Sequence, residues 1–199
     1  IDAGMILSTI LFPMTTITNV ENYAASFTSW QMLPFIPSLC LAPIFVILVL
    51  CIHRCTDEER KIFSQLGLSF GVICAAILSI HYYIQLTVVQ QGLLNNETNG
   101  LWLLAAPNPH SFFWTFAALG YGFMGFALLS VSPIFVKKDQ SKIKFLLLAN
   151  GIIGVAFLVG NSLGFFILNI LASFTWGVLF PITCIFIAKN FRLLQKQSP

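Results

Sequence analysis

A short stretch of hydrogen-bonding side chains interrupts an otherwise apolar part of the chain. His81 and Gln85 are four residues apart, so in a helix they share one face, and Tyr82 and Tyr83 lie between them. A neutral imidazole and a primary amide each supply a donor and an acceptor. This stretch could therefore hold the polar head of an uncharged molecule, with the apolar body resting on nearby aromatic rings.

Other parts of the chain offer side chains that could complete such a site at a similar depth. The candidate ligand-binding residues are His81, Tyr82, Tyr83, Gln85, His110, Trp114, Tyr121, Asn161 and Trp176. No catalytic residue can be assigned, because the apolar runs contain neither a pair of carboxylates nor a Ser/His/Asp arrangement. The pattern favours binding over catalysis.

The cysteines and histidines could in principle hold a metal ion. Cys51 and Cys55 are one helical turn apart, with His53 between them. No second Cys/His pair completes a tetrahedral set of ligands, so these cysteines fit small apolar side chains and a thiol open to palmitoylation. The sequence predicts no metal site and no cofactor.

Composition indicates the solvent that surrounds these groups. The chain is 57% hydrophobic and 9% charged, whereas about 25% of an ordinary soluble domain is charged. Long uncharged runs of this kind fit lipid better than water. The net charge of +3 is too small to suggest a nucleic acid partner.

The uncharged runs predict the fold class, because 199 residues allow about six crossings of about 20 residues each. We expect an all-α fold, a polytopic integral membrane protein with a bundle of about six transmembrane helices in a single domain, residues 1–199. We expect the first run to be an uncleaved span, because no basic segment precedes it. The predicted spans are 3–20, 30–53, 62–91, 109–136, 143–168 and 171–188.

Charge placement gives an independent test of this arrangement. All ten basic residues fall in or at the edge of alternate connections, or after the last predicted span: Arg54, Arg60, Lys61, Lys137, Lys138, Lys142, Lys144, Lys189, Arg192 and Lys196. The positive-inside rule then places both chain ends in the cytosol. Apart from Lys144, at the start of the span 143–168, no Asp, Glu, Lys or Arg lies within a predicted span, and this makes an ion-coupled transporter less favoured.

Glycines and helix signals predict where helices pack and begin. Gly67 with Gly71, and Gly160 with Gly164, form small-xxx-small pairs that would let helix backbones approach. Gly120, Gly122 and Gly125 suggest the same for the fourth span. Asn108 is expected to cap that span, with Pro109 in its first turn, and Pro181 to bend the last one.

These patterns favour a protein of a cell membrane that binds a small neutral or amphipathic molecule, or a lipid, in a pocket in the outer half of the bundle. It would act as a carrier, a sensor or an accessory subunit, and its partners would be the bilayer, the ligand, and a second membrane protein or another copy of itself. Two alternatives remain open. One is a membrane-embedded enzyme that uses His81 as acid or base, and the other is a structural or assembly subunit.

Overall fold

The computed structural model describes residues 17–165, 168, 171–172 and 175–197, which form helices and turns without a β-strand. The all-α class is confirmed for these residues. A π-helical segment, Gln85–Val89, joins α3 to α4 without a break, and a second, Thr175–Leu179, leads into α7. The helices are α1 (Val20–Ser26), α2 (Phe35–Arg54), α3 (Lys61–Ile84), α4 (Gln90–Leu94), α5 (Phe112–Val131), α6 (Ser141–Ser162) and α7 (Phe180–Gln197).

Four helical segments are long and apolar enough to cross a membrane: Ser29–Arg54, Glu58–Leu94, Phe112–Ile134 and Lys138–Ser162. They correspond to the second to fifth predicted spans. The first predicted span, 3–20, lies outside the described residues except for 17–20. The last, 171–188, overlaps the second π-helical segment and α7. The six crossings therefore stay a prediction.

The long helices pack in chain order, α2 on α3, α3 on α5 and α5 on α6. Their short connections make neighbouring helices antiparallel. α7 lies against α6, and the Phe180 ring contacts the Phe45 ring of α2 with centroids 6.0 Å apart, so α7 also reaches the first helix of the row. Apolar side chains fill the interior: Phe45, Val49, Met124, Leu128, Leu147 and Ile187.

The backbones of α5 and α6 meet at glycines. A Cβ placed on Gly125 would lie 2.8 Å from the carbonyl oxygen of Gly151 and 3.0 Å from the backbone nitrogen of Val155. Neither atom can move aside without moving a helix. Gly125 is thus a packing glycine, as the sequence predicts. Gly151 and Gly154, which form the other side of this contact, were not singled out by the sequence pattern.

The prediction that Gly164 packs against a neighbouring helix is wrong. Gly164 has a φ of 78°, and a Cβ there would meet no atom of the described residues within 4 Å. The N–H of Phe165 donates to the carbonyl oxygen of Gly160 at 2.8 Å, which is the bond that closes a helix end around a left-handed residue. α6 therefore ends at Ser162, and the predicted span 143–168 is too long.

The predicted start of the fourth span is also wrong. α5 begins at Phe112 after Ser111, whose backbone is extended, and not after Asn108. Asn108 instead stabilises the preceding turn. Its Nδ2 donates to the carbonyl oxygen of Trp102 at 2.9 Å, and its Oδ1 accepts the backbone N–H of His110 at 3.0 Å.

The helix widens into a π-helical segment directly before α7, close to Pro181. Pro181 is the second residue of α7, directly after the π-helical segment Thr175–Leu179. Proline has no N–H to donate to the carbonyl of Gly177, four residues before it. The π-helical segment therefore lies where one backbone hydrogen bond of a regular α-helix cannot form.

Large apolar side chains cover the outside of the long helices. Ile47 on α2 is 58% exposed, Phe145 on α6 is 69% exposed and Ile152 on α6 is 59% exposed. Soluble proteins rarely expose continuous apolar surface of this kind. An apolar outside on helices of this length fits contact with lipid chains.

The basic residues gather at one end of the bundle. A cleft there is lined by Arg60 from the α2–α3 connection, Lys137 from the α5–α6 connection and Asn190 from α7, which follows Lys189. We call this end, which carries Arg54 to Lys61, Lys137 to Lys144 and Lys189 to Arg192, the basic end. The spatial grouping matches the alternation of charge along the sequence.

Candidate functional site

Two tyrosine hydroxyls and an indole meet in the interior, far from the basic end. The Oη atoms of Tyr82 on α3 and Tyr121 on α5 are 2.6 Å apart. Tyr121 stacks on Trp176, with ring centroids 5.0 Å apart and an interplanar angle of 24°. All three side chains are buried. Three residues that are distant in sequence are thus joined by one hydrogen bond and one ring stack.

His81 lies beside this contact and is enclosed by rings. Its imidazole has centroid distances of 4.6 Å to both Tyr82 and Phe113, and only 1% of the residue is exposed. Phe35 of α2 closes the same group, 6.1 Å from Tyr82 and 5.9 Å from Phe113. Within the described part of the chain, His81 Nε2 has no hydrogen-bond partner.

Gln85 is one turn further along and is equally buried, at 1% exposure. Its Nε2 donates to the carbonyl oxygen of Leu104 at 2.9 Å. Its Oε1 is buried, and no described residue donates to it. We call His81, Tyr82, Gln85, Tyr121 and Trp176 the polar cluster.

The chain between α4 and α5 folds over the end of α3 next to the polar cluster. Gly100 turns this segment with a φ of 73°. Trp114 Nε1 donates to the carbonyl oxygen of Ala106 at 3.1 Å, so the indole anchors the segment to α5. Leu104, which accepts the bond from Gln85, belongs to the same segment.

Both π-helical segments contribute to the polar cluster. Gln85 is the first residue of one, and Trp176 is the second residue of the other. Such segments are rare and frequently lie at functional sites, where the extra residue redirects side chains. Trp176 Nε1, like His81 Nε2 and Gln85 Oε1, is a buried polar atom without a partner among the described residues.

The structure does not bring all of the candidate residues together. Tyr83 is 60% exposed on the outside of α3. His110 is exposed in the turn before α5, and Asn161 is half-buried near the end of α6. Trp114 touches the polar cluster indirectly, through the ring of Phe113 at 5.2 Å.

Phe113 and Phe35 are parts of this environment that the sequence analysis missed. Phe113 connects His81 to Trp114 and lies against Phe35. Because Phe113 directly precedes Trp114, a candidate residue, the sequence could have indicated that Phe113 lies near the site. With 20 phenylalanines in the chain, composition alone could not distinguish this one.

Polar residues elsewhere in the bundle mostly bond within their own helices. Thr175 Oγ1 donates to the carbonyl of Leu171 and Ser162 Oγ to that of Leu158, and neither hydroxyl bonds another helix among the described residues. Asn150 does link helices, because its Nδ2 lies 3.0 Å from Thr183 Oγ1 of α7.

Clefts open at three places on the surface of the described chain. One of about 620 Å³ lies at the α4–α5 connection and is lined by Val88, Asn96 and Leu104 among others. A groove of about 490 Å³ lies between α6 and α7. The cleft at the basic end measures about 120 Å³. None of the three is lined by His81.

Comparison of the chain with family models, curated proteins and solved structures finds no match.

Proposed function

We propose that the chain is a multi-pass membrane protein that binds a small uncharged polar or amphipathic molecule, or a lipid, at the polar cluster. The apolar outside of the helices supports the membrane location. The grouping of basic residues supports a topology of six crossings with the basic end and both chain ends in the cytosol.

In this topology the polar cluster lies near the outer edge of the hydrocarbon core. α3 begins at Lys61, and His81 follows 20 residues later, which is about 30 Å along a helix axis. The hydrocarbon core is also about 30 Å thick. The π-helical segment, α4 and the segment around Leu104 would then lie in the headgroup region or beyond it. A ligand could reach the cluster from the outer leaflet or the outer solution.

The proposal is carried by three buried polar atoms that have no hydrogen-bond partner among the described residues. Trp176 Nε1 can only donate, Gln85 Oε1 can only accept, and a neutral His81 Nε2 can do either according to its tautomer. A buried polar atom without a partner costs roughly 1–3 kcal/mol. A neutral hydroxyl or amide satisfies a donor and an acceptor together, whereas an ionic group would find no counter-charge on these three side chains.

The position of Leu104 supports a route by which a ligand could reach the polar cluster from the cleft at the α4–α5 connection. Leu104 lines the cleft of about 620 Å³ and also accepts the hydrogen bond from Gln85. One residue of the α4–α5 connection therefore separates the cleft from the polar cluster. A small movement of this connection would join them.

One observation favours the structural alternative. His81, Tyr82 and Gln85 are each no more than 1% exposed, and the clefts described above do not reach them. A tightly packed interior of this kind would also serve an assembly subunit whose polar groups only hold helices together. The two functions differ in what happens when a polar group is removed.

The test is the ligand content of purified protein. Gln85→Leu and His81→Leu remove the polar atoms at similar volume, and Gln65→Leu makes the same change at an exposed site on α3. Small molecules are extracted and quantified by mass spectrometry per mole of folded protein. We expect wild type and Gln65→Leu to retain a neutral molecule. Both cluster variants should lose about nine-tenths of it, as expected for the loss of one buried hydrogen bond.

Equal ligand content in all four proteins, or no retained molecule in any, would contradict binding at the polar cluster. Lower thermal stability of the two cluster variants without a change in content per folded protein would support the structural subunit.

A further inference from the structure

The cleft at the basic end is built by three separate parts of the chain. Its buried side is apolar, with Ile52 from the end of α2, Phe135 after α5 and Phe191 from α7. Its polar side carries the cations of Arg60 and Lys137, the amides of Gln140 and Asn190, and the carboxylate of Asp57, which pairs with Arg60. The combination is amphipathic, with charged and amide groups next to a hydrophobic wall.

Arg60 is only weakly engaged within the protein. Among the described residues its ionic contact is with Asp57, at 3.7 Å, and the Asp57 side chain is 83% exposed. Ion pairs this exposed contribute little, because water screens them. Lys61, in contrast, bonds the carbonyl oxygen of Thr56 and the carboxylate of Glu58. Arg60 is thus the cation of this connection that can take a stronger acceptor.

A buried amide holds the opposite wall in place. Gln140, 8% exposed, accepts the backbone N–H of Lys137 at 3.4 Å and donates to Asn190 Oδ1 at 3.2 Å. These bonds fix the α5–α6 connection onto α7. With Oδ1 engaged, the polar atom that Asn190 can offer to the cleft is the Nδ2 donor.

We propose that this cleft binds a phosphate group, carried either by an anionic lipid headgroup or by a soluble phosphate. A guanidinium forms paired hydrogen bonds with phosphate oxygens, an ammonium supplies a second positive charge, and an amide supplies a further N–H donor. A cleft of about 120 Å³ admits a headgroup and not a whole lipid. Basic pockets between transmembrane helices on the cytosolic side are suited to phospholipid headgroups. The site is separate from the polar cluster and does not depend on it.

The test compares two double variants with the same loss of charge. Arg60→Ala with Lys137→Ala removes both cations that line the cleft. Arg54→Ala with Lys138→Ala removes exposed cations of the basic end that do not line it. The protein is purified in an uncharged detergent, and thermal unfolding is followed while a short-chain phosphatidate, inorganic phosphate or a short-chain diacylglycerol is added.

We expect phosphatidate to raise the unfolding midpoint of wild type and of the Arg54/Lys138 variant at similar concentrations. The Arg60/Lys137 variant should need at least about tenfold more, the expected loss for a charged hydrogen bond. An equal response to inorganic phosphate would identify a soluble phosphate as the source, and a response to phosphatidate alone would identify a lipid headgroup. Equal responses of the two double variants, an equal response to diacylglycerol, or no response of wild type would overturn the proposal.

A gain of binding provides a check that misfolding cannot imitate. Asp57→Asn removes the carboxylate that competes for Arg60, whereas Asp139→Asn makes the same change outside the cleft. Phosphatidate should act at lower concentration on Asp57→Asn than on Asp139→Asn. Indistinguishable responses would contradict a site at Arg60.

Discussion

The hydroxyl oxygens of Tyr82 and Tyr121 lie 2.6 Å apart and join α3 to α5 inside an apolar bundle. The ring of Tyr121 stacks on Trp176. Tyr121 therefore connects three elements: its hydroxyl bonds Tyr82 of α3, and its ring contacts the segment that leads into α7.

A double-mutant cycle should measure the strength of this link. Tyr82→Phe and Tyr121→Phe should each lower the free energy of unfolding, and their coupling should be about 0.6 kcal/mol, the average for hydrogen bonds between membrane helices. Unfolding by titration with a denaturing detergent gives the values. Tyr83→Phe is the control, since the Tyr83 side chain is exposed. A coupling of zero would mean that the two hydroxyls do not bond each other.

Substitution of single glycines should separate backbone contact from ordinary packing. Gly125→Ala should lower the free energy of unfolding by about 1–3 kcal/mol, because its Cβ would press on backbone atoms of α6. Gly71→Ala should have little effect or a small stabilising one, because its Cβ would meet only Phe45 at 3.6 Å and Val49 at 3.8 Å. Equal losses in the two variants, measured by thermal unfolding in detergent, would contradict a backbone contact at Gly125.

Cysteine labelling should establish the orientation of the bundle. Asn96 is exposed in the α4–α5 connection, and Lys142 is exposed in the first turn of α6, at the opposite end of the bundle. In a variant without native cysteines, a cysteine at position 96 should react with an impermeant maleimide in intact cells. A cysteine at position 142 should react only after permeabilisation. The reverse pattern would place the basic end outside and refute the cytosolic assignment.

The charges of the sequence predicted spatial relationships that the structure contains. Arg60, Lys137 and the start of the basic tail at Lys189 are far apart in sequence, yet their segments meet around one cleft. Alternation of charge reports which connections lie on the same side, and antiparallel helices then bring them together. This signal needs no knowledge of side-chain packing.

The faces of individual helices were much harder to predict. Tyr82 and Tyr83 are neighbours of the same type, but one is 1% exposed and the other 60%. In water, polar residues mark the outside of a helix. Where lipid surrounds the bundle, both faces are apolar, so the pattern loses this contrast. Which tyrosine turns inward depends on Tyr121 and Phe35, whose positions follow from tertiary packing.

Local backbone features were also beyond the sequence pattern. The π-helical segment at Gln85–Val89 has no glycine or proline to signal it. The left-handed turn at Gly164 could have been recognised as a helix end, but its spacing from Gly160 equally fits a packing motif. A spacing of four residues does not say whether the helix continues through the second glycine.

The stack of Tyr121 on Trp176 also has a consequence for the order of synthesis. Contacts such as that of Gly125 with Gly151 form within a hairpin of adjacent helices, so they can form soon after both helices have been made. The stack of Tyr121 can form only after Trp176, much later in the chain, has been synthesised. A nascent chain that stops before Trp176 would leave this ring without its cover. An unfinished product would then differ from the complete protein by an uncovered aromatic surface.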